Sequence, residues 1–458
     1  MAENEFDVAD LPRRARSAAR ASTSVWAPRD GCPWRSLALA LLLVAGPARA
    51  LAASPAPTET ATTVVVTGAT LIDGTGREPL TDATIVMRAG KISAVTPGSG
   101  AAPVGAERID ARGKWIVPGL IDMHVHYHAG WMDALFLRHG ITTVRDVGSG
   151  LDSILELRED SRQSGVARPR LFACGPLIDG RSPRHGRGIS VSVTTVDEAR
   201  AAARRLLDGG VDCLKVYEQL TPPLVEAIVR EAEPARVPVT AHLRDTTALA
   251  AIELGVRGLE HALGFDPCDE PLAREVAARV VERGVYVVPT LMILEQIARF
   301  RSPELETIPF IGDIPAGRRR YWRAAAAGAT DERIDYAARR LACIKPFVRQ
   351  VQRAGGLVVA GSDTSNPYVV PGASLHRELE LLVEAGLAPG EALAAATRTA
   401  AAFLGQTRAL GTVEVGKAAD LVVLGADPAR SIGAIRQVDL VIRDGRVVWT
   451  ATGQGSGR

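Results

Sequence analysis

Two histidines stand one residue apart in an apolar segment that follows a Pro-Gly pair. They are His124 and His126, and His128 follows at the same spacing. Residues i and i+2 of a β-strand point to the same face, so two imidazoles at this spacing can bind one metal ion. Histidines also meet by chance in polar turns, and the pair alone leaves that interpretation open. Residues further along the chain favour the metal.

Other residues of metal-ligand type lie at the ends of later apolar segments. Lys215 lies within 213–217, and His242, His261 and Asp363 end the segments 238–242, 258–261 and 357–363. Each alone has an ordinary explanation, such as an edge lysine, a core histidine or a capping aspartate. Six residues of this type at matching strand ends together favour a metal site. The inward lysine supports the same interpretation, because its buried charge is costly unless the lysine is paired or chemically modified.

The elements that must position these residues alternate between strand and helix. We predict strands at 119–126, 141–147, 170–174, 213–217, 238–242, 258–261, 286–291 and 357–363. Helical patterns lie between them, for example at 195–208, 222–233, 246–254 and 270–283. Eight strands in series with helices predict an α/β fold, a (β/α)8 TIM barrel over 118–405, with its site at the carboxyl ends of the strands.

The regions on either side of the predicted barrel have a different sequence pattern. Short strands separated by turn residues are predicted at 63–67, 83–88, 91–95, 114–117, 419–424, 438–443 and 446–449. Asp444 and Gly445 form a typical two-residue hairpin turn. We therefore predict one small β-sandwich domain, built from 62–117 and 406–450. Within the barrel, the Pro- and Arg-rich segment 292–332 is predicted to be a long loop that could form a lid over the carboxyl ends of the strands.

Composition narrows the classes of function. Of the 458 residues, 47% are hydrophobic and 23% are charged, so we expect a large core. The net charge is only +2, which argues against binding to nucleic acid. Residues 1–53 combine arginines, an apolar run over 36–45 and small residues, which is typical of a cleaved signal peptide. The run is too short for a stable membrane anchor. We predict a linker at 54–61 and export to the periplasm or the medium.

Cysteines beyond the predicted signal peptide are widely spaced. They lie at 174, 213, 268 and 343, without a Cys-x-x-Cys pair, which argues against a thiolate zinc site. An exported protein allows disulfides, but the simpler expectation is buried free thiols.

Several segments together resemble the amidohydrolase superfamily, in the group of imidazolonepropionases and of Xaa-Pro dipeptidases with a carboxylated lysine. The matching segments are 117–126, 142–148, 211–217, 239–242, 258–262, 360–364 and 411–423. The resemblance implies two divalent metal ions, expected to be Zn²⁺. It implies that His124, His126 and Asp363 hold the more buried ion, that His242 and His261 hold the other, and that carboxylated Lys215 bridges both.

The same resemblance implies the catalytic chemistry. Two cations would lower the pKa of a bridging water so that hydroxide exists near neutral pH, and Asp363 would carry its proton to the leaving amine. His185 follows the third strand, as a histidine does in the related dipeptidases, and could donate a hydrogen bond to the carbonyl. Tyr217 and Arg244 share the predicted inward face and could bind a substrate carboxylate. For these three residues, a surface or supporting polar role is an equal alternative.

The remaining candidates are assigned structural roles or none. We expect Asp146 to be structural and His139 and His376 to lie on helix surfaces, and His128 stays unassigned.

The leading hypothesis is an exported binuclear metal hydrolase that cleaves amide bonds of small substrates, as an Xaa-Pro-type dipeptidase or carboxypeptidase. An alternative is a cyclic amidohydrolase similar to imidazolonepropionase, against which Lys215 argues because that branch uses one metal. A third is a binding protein without turnover, which the full set of ligand-type residues disfavours. The expected partner is a small molecule or short peptide, and homo-oligomerisation is left open.

Overall fold

A computed structural model describes residues 63–98, 103–128, 130–163, 165–186 and 188–452. The predicted signal peptide and the linker at 54–61 lie outside these described residues. Within them, no helix combines the length and the apolar character needed to cross a bilayer.

Strands and helices follow one another in three stretches of the chain. The first stretch consists of strands β1 (Thr63–Leu71), β2 (Leu80–Arg88), β3 (Lys91–Pro97), β4 (Glu107–Asp110) and β5 (Trp115–Pro118). The middle stretch begins with β6 (Leu120–Val125), α1 (Trp131–Arg138), β7 (Ile141–Asp146), α2 (Leu151–Arg162), β8 (Arg170–Ala173), β9 (Leu177–Asp179), β10 (Ser190–Ser192), α3 (Val196–Asp208), β11 (Leu214–Val216), α4 (Pro222–Ala232), β12 (Val239–Ala241), α5 (Ala248–Glu253), β13 (Gly258–Glu260), α6 (Glu270–Arg283) and β14 (Tyr286–Val288). It continues with α7 (Leu291–Ala298), α8 (Ala316–Ala327), α9 (Asp331–Arg353), β15 (Leu357–Val358), α10 (Ala373–Ala385), α11 (Pro389–Ala395) and α12 (Arg398–Phe403). The last stretch consists of β16 (Leu421–Leu424), β17 (Val438–Arg443) and β18 (Arg446–Thr450).

Strands from both ends of the described chain form one mixed sheet. Its order is β18-β17-β16-β5-β1-β2-β3, and β4 pairs with β1. Asp444 and Gly445 connect β17 to β18 with φ angles of 47° and 72°, as the hairpin prediction requires. Apolar residues of the two chain ends share one buried cluster, which explains why distant segments pair. The predicted second layer of a sandwich stays a prediction.

The middle of the chain forms parallel sheets whose strands alternate with helices. One sheet has the order β10-β9-β11-β12-β13-β14-β15, and the other has the order β6-β7-β8. Met123 N donates to Ala360 O at 3.0 Å, and Asp212 N donates to Ala173 O at 2.8 Å, so backbone hydrogen bonds link the two sheets on both sides. The α/β class is therefore confirmed, whereas closure into one eight-stranded barrel stays a prediction.

Close packing at the end of β15 depends on a glycine. A Cβ atom on Gly361 would lie 2.7 Å from His124 Cβ and 3.0 Å from His124 N, which is closer than carbon atoms approach. Buried Asp122 accepts hydrogen bonds from Ser362 N at 2.9 Å and Ser362 Oγ at 2.6 Å. The segment that carries Asp363 is thereby held directly against β6.

The segment 292–332 is helical over most of its length, so the prediction of a long loop is wrong. It contains all of α7 except Leu291, two 3-10 turns and α8. The 3-10 turns span Pro303–Thr307 and Ile311–Asp313. Leu305, Trp322 and Ala326 are buried in one apolar cluster. Ser302 accepts a hydrogen bond from Glu304 N and caps the first turn. Apolar burial and local caps outweigh the proline and arginine content that suggested a loop.

All four cysteines of the described chain are paired, so the expectation of free thiols is wrong. Cys174 bonds to Cys213, and Cys268 bonds to Cys343. Cys174 follows β8 directly and Cys213 precedes β11, which makes the first disulfide a covalent link between the two parallel sheets. Spacings of 39 and 75 residues could not indicate these pairings in the sequence.

His139 and His376 are buried rather than on helix surfaces. His139 is 5% exposed and His376 is 1% exposed. His376 Nε2 lies 2.8 Å from His139 O, and His139 Nδ1 lies 2.7 Å from Leu135 O. These contacts tie α10 to α1, and we call the two residues the structural histidine pair.

An ion-pair network connects the mixed sheet to the parallel sheets. Arg170, at the start of β8, contacts Asp420 at 2.6 Å and Asp444 at 2.5 Å. Asp420 Oδ1 in turn accepts a hydrogen bond from Asp444 N at 2.8 Å. The hairpin turn of the terminal sheet is therefore held by a strand of the middle stretch.

Candidate metal centre

The predicted metal ligands meet at the carboxyl ends of the parallel strands. Asp363 Oδ1 lies 3.5 Å from His124 Nε2 and 3.4 Å from His126 Nε2, and Asp363 Oδ2 lies 3.9 Å from His261 Nδ1. The ring of His242 lies 4.8 Å from that of His261, centroid to centroid. Residues from β6, β12, β13 and the end of β15 thus converge around one carboxylate.

Left-handed backbone conformations are concentrated at this point. His261, Thr290 and Asp363 have φ angles of 58°, 47° and 60°. Such angles are unfavourable for residues other than glycine, and they persist where the surrounding structure fixes them, commonly at functional sites. Here they turn the chain sharply as it leaves each strand.

Lys215 is 1% exposed, and its charge interacts with all four predicted histidine ligands. Its Nζ atom has no hydrogen-bond partner within the described structure. Burial lowers the pKa of Lys215 to about 8, and the charges of Glu260 and Asp363 oppose that shift only in part. An ammonium in this position is unfavourable, so the site suits a lysine that is modified or neutral.

In three histidines, the Nδ1 atom lies close to an oxygen atom of a neighbouring residue. His124 Nδ1 lies 2.7 Å from Glu260 Oε2, His261 Nδ1 lies 2.6 Å from Thr290 Oγ1, and His126 Nδ1 lies 3.5 Å from Gly148 O. A neutral imidazole that donates from Nδ1 keeps the lone pair of Nε2 for a metal ion. The arrangement therefore suits metal binding through Nε2.

The pKa shifts of three of the four histidines and of Asp363 agree with metal binding, whereas, against the effect of burial, the hydrogen bond with Asp363 raises the pKa of His126. Burial lowers the pKa of His124, and it lowers the pKa values of His242 and His261 far below their usual range. Burial alone would raise the pKa of Asp363, but the neighbouring His124, His126 and His261 hold it well below its usual range. Neutral imidazoles and an ionised carboxylate are the forms that bind divalent cations.

Ligand atoms of His124, His261 and Asp363 all lie within 4.8 Å of one another. Together with the buried Lys215 amine that has no partner, this donor set fits a divalent metal ion. The individual ligand roles, including those of His126 and His242, stay predictions.

The predicted substrate residues do not all behave alike. His185 Nε2 and the Tyr217 hydroxyl share a hydrogen bond of 3.1 Å, and the Tyr217 ring lies 4.4 Å from that of His242. Burial lowers the pKa of His185 to about 4 and raises the pKa of Tyr217, so both side chains are neutral near pH 7. The structure thus brings His185 and Tyr217 together beside the predicted histidine ligand His242.

Arg244 lies further out and is already engaged. Its NH1 group contacts Glu218 at 2.7 Å and its Nε atom contacts Asp245 at 3.1 Å, while about half of its side chain is exposed (54%). Glu218 also contacts Arg184 at 2.9 Å and His242 Nε2 at 3.4 Å. A substrate carboxylate would therefore meet an arginine that Glu218 already orients.

Four residues that surround the predicted ligands are not predicted from the sequence: Arg145, Glu218, Glu260 and Thr290. Arg145 and Glu260 are both fully buried, and Arg145 NH2 contacts Glu260 Oε1 at 2.6 Å. Opposite charges inside two apolar strands were a signal for a buried pair. Thr290 and Glu218 had no comparable signal, because each depends on a turn whose shape the pattern does not reveal.

Two further residues can be placed. Asp146 accepts hydrogen bonds from Tyr127 N at 2.8 Å, Ser149 Oγ at 2.9 Å and Gly148 N at 3.1 Å, which is the structural role expected for it. His128 is exposed beyond the ligand pair, and its backbone N–H lies 3.0 Å from the Met132 sulfur.

Comparison with protein families gives a clear result. The model of the amidohydrolase family matches residues 115–448. The chain belongs to the amidohydrolase family. Members generally use divalent metal ions, and the match spans both the parallel sheets and the strands after them. The prediction of an amidohydrolase-type hydrolytic enzyme is therefore confirmed, and the family implies a TIM-barrel-like α/β fold.

Similar curated proteins match different shares of the chain. Uncharacterized proteins of Mycobacterium tuberculosis and Mycobacterium bovis are 37% identical over 130 residues, which cover 26% of this chain and only 20% of their own length. The imidazolonepropionase of Chromobacterium violaceum is 29% identical over 362 residues, which cover 74% of this chain and 84% of that protein.

Solved structures of the same fold include prolidases. A proposed prolidase from Bifidobacterium longum has a TM-score of 0.71 and 28% identity, and the match covers 85% of this chain and 95% of that protein. A prolidase in complex with N-methylphosphonate-L-proline has a TM-score of 0.69 and 25% identity, with 85% and 100% covered.

Proposed function

We propose that this chain is a metal-dependent hydrolase that cleaves amide bonds of small substrates, as an Xaa-Pro-type dipeptidase or carboxypeptidase. The observation that carries the proposal is the buried Lys215 amine, which has no hydrogen-bond partner among the described residues although it interacts electrostatically with four histidines and Asp363. A lysine is unfavourable there as a cation, whereas its carboxylated form would be an anionic ligand shared by two metal ions. Similarity to prolidases supports the peptide bond as the target.

The chain's own residues have distinct tasks in this proposal. His124, His126, Lys215, His242, His261 and Asp363 would hold two divalent ions, with zinc as the expected metal. Bound there, the ions would polarise the substrate carbonyl and make water acidic enough to react near pH 7. Asp363 remains ionised at that pH, so its carboxylate can accept the proton of the attacking water and transfer it to the leaving amine.

The residues beside the four predicted histidine ligands would recognise the substrate. Tyr217 and His185 hydrogen-bond each other and are neutral, so together they can donate one hydrogen bond to a carbonyl or carboxylate oxygen. Glu218 holds NH1 of Arg244 and Asp245 holds its Nε atom, so the NH2 group can donate to a substrate oxygen. A peptide with a free carboxylate suits a site with this donor arrangement.

Activity assays test the proposal directly. Purified protein, supplied with zinc and bicarbonate, is incubated with Xaa-Pro dipeptides, other dipeptides and N-acyl amino acids, and the release of free amine is measured. We expect turnover of C-terminally free dipeptides and about two metal equivalents per chain. If no amide in the panel is cleaved while two equivalents of metal are bound, the peptidase proposal is wrong.

A second candidate is hydrolysis of a cyclic amide. It is supported by the similarity to the imidazolonepropionase of Chromobacterium violaceum, whose match covers 74% of this chain. Cyclic imides and lactams therefore belong in the same panel. Turnover of these compounds with one metal equivalent would favour this candidate over the peptidase.

Fold and location complete the proposal. We propose that β6, β7, β8 and β11–β15 close into one barrel, which the hydrogen bonds between the two parallel sheets support. We also propose export to an oxidising compartment, which the two disulfides support.

A further inference from the structure

Glu260 is a hub of contacts behind the predicted metal centre. Its two carboxylate oxygens face different partners: Oε2 lies 2.7 Å from His124 Nδ1, and Oε1 lies 2.6 Å from Arg145 NH2. Thr240 donates its hydroxyl hydrogen bond to Oε1 as well. Glu260, Arg145 and His124 are each at most 1% exposed, so no solvent competes for these bonds.

We propose that Glu260 is a positioning residue that holds His124 in the form with hydrogen on Nδ1, and that Arg145 holds Glu260 in place for this task. The inference rests on the proposed function, because it assigns a role within that metal centre. Its consequence is measurable without turnover: the affinity for metal depends on the acceptor that Glu260 supplies.

The argument begins with the ring of His124. Its Nε2 atom faces Asp363 and the centre of the site at 3.5 Å, while Nδ1 faces the protein interior. A neutral imidazole carries its hydrogen on one nitrogen only, so an acceptor at Nδ1 leaves the lone pair on Nε2. Acceptors placed behind metal-binding histidines change metal affinity by about 10- to 100-fold.

Arg145 fixes the acceptor from the other side. Its Nε atom donates to Met123 O at 2.6 Å, and its guanidinium lies 4.6 Å from the centre of the Phe403 ring. One side chain therefore contacts both the backbone beside His124 and the carboxylate behind it. Burial alone would raise the pKa of Glu260, but the positive charge of Arg145 helps to hold it well below its usual range.

The competing explanation is that Glu260 only neutralises the buried Arg145. The two explanations predict different results when both charges are removed together. In Arg145→Met/Glu260→Met the buried pair is replaced by apolar side chains, which is often tolerated, whereas Glu260→Met alone leaves a buried cation. The Nδ1 acceptor is missing in both variants.

The experiment measures zinc affinity by chelator competition and stability by thermal unfolding of the metal-free full chain. We expect Arg145→Met/Glu260→Met to unfold near the temperature of the unmodified protein but to bind zinc about 10- to 100-fold more weakly. Arg145→Met/Glu260→Gln should regain most of the affinity, because the glutamine carbonyl can accept from His124 Nδ1. Equal affinity in the two double variants would overturn the proposal.

Thr240→Val is the matched control. It removes a hydroxyl that contacts Glu260 Oε1 but not His124, so zinc affinity should stay within about threefold of the unmodified value. If the double variants do not fold, Glu260→Asp serves instead, because it keeps the charge and withdraws the carboxylate by one methylene. Wild-type zinc affinity in that variant would also overturn the proposal.

The result separates this inference from the proposed function. If the unmodified protein binds no zinc, the metal centre itself is wrong. If it binds zinc and the Glu260 variants bind it equally well, only the role of Glu260 is wrong.

Discussion

Two groups of buried histidines lie in this molecule, and only one of them is suited to chemistry. The ring nitrogens of His124 and His126 point towards Asp363, and their other nitrogens are held from behind. In the structural histidine pair, His376 and His139 each hydrogen-bond a backbone carbonyl instead. Burial lowers the pKa of His139 to about 4 and that of His376 to about 3.

His124 is as buried as the structural histidine pair and its pKa is also lowered, so these two properties do not distinguish a functional histidine from a structural one. The difference lies in what the second nitrogen faces: a carboxylate and further imidazoles in one group, backbone and packed side chains in the other. Variants can test this distinction, because each group should affect a different measured quantity.

The largest effect is expected from Asp363→Asn. The amide cannot accept the proton, so kcat should fall by at least about 1000-fold while most of the metal stays bound. Steady-state kinetics and metal analysis measure the two quantities. Asp335→Asn, an exposed change on α9, is the control and should match the unmodified protein. Near-normal kcat in Asp363→Asn would remove this residue from the mechanism.

Lys215→Met should empty at least one metal position. Methionine fills the buried space but supplies neither an amine to modify nor an oxygen ligand, so metal content should fall from about two equivalents to one or fewer. Metal analysis after dialysis measures this. Lys345→Met, which removes an ion pair with Glu384 on the surface, is the control. Two retained equivalents would contradict the bridging role of Lys215.

Arg244→Ala should change substrate binding more than chemistry. Loss of a hydrogen bond to a charged group costs about 1.5–3 kcal/mol, which corresponds to a rise in KM of about tenfold or more at nearly constant kcat. Arg204→Ala removes another exposed arginine that pairs with a glutamate, Glu231, and serves as the control. A selective fall in kcat would place Arg244 closer to the reacting atoms than proposed.

His376→Gln should affect stability alone and is the smallest expected effect. The pKa of His376 is lower in the folded chain than in the unfolded chain, so the unfolded state takes up more protons as pH falls from about 6.5 to 3. Stability is therefore full above pH 6.5 and is lost across that window. Between pH 6.5 and pH 5, the unmodified protein should lose about 1.5 kcal/mol of stability that the variant does not lose, as measured by denaturant titration.

Glutamine can keep the bond from its amide to His139 O, so kcat and metal content at pH 7.5 should not change. A shift in either would mean that the two groups of histidines are coupled.

Sequence alone predicted the strands and the ligand-type residues because both follow local rules. The prediction for α6 at 270–283 agrees with the observed helix, and His242, His261 and Asp363 do follow buried parallel strands. A strand's period and its carboxyl end can be read from a few neighbouring residues. Convergence of distant strand ends then follows from the fold class.

The rest depends on contacts between distant residues or on the shape of turns. Glu260 and Arg145 are 115 positions apart, and their pairing becomes visible only when the strands are in place. The disulfide pairings could not be predicted for the same reason, because each joins cysteines that are far apart in the sequence. The segment 292–332 was predicted wrongly because composition was given more weight than the apolar positions, such as Trp322, that bury its helices.

The Arg170 network limits how this protein can be dissected. Residues Asp420 and Asp444, near the end of the described chain, clamp a strand from its middle, and the mixed sheet draws strands from both ends. A fragment that retains the ligand set but stops before residue 420 would leave Arg170 without these carboxylates and β5 without its neighbour β16. Truncated versions should therefore misfold, although every proposed catalytic residue lies upstream of the cut.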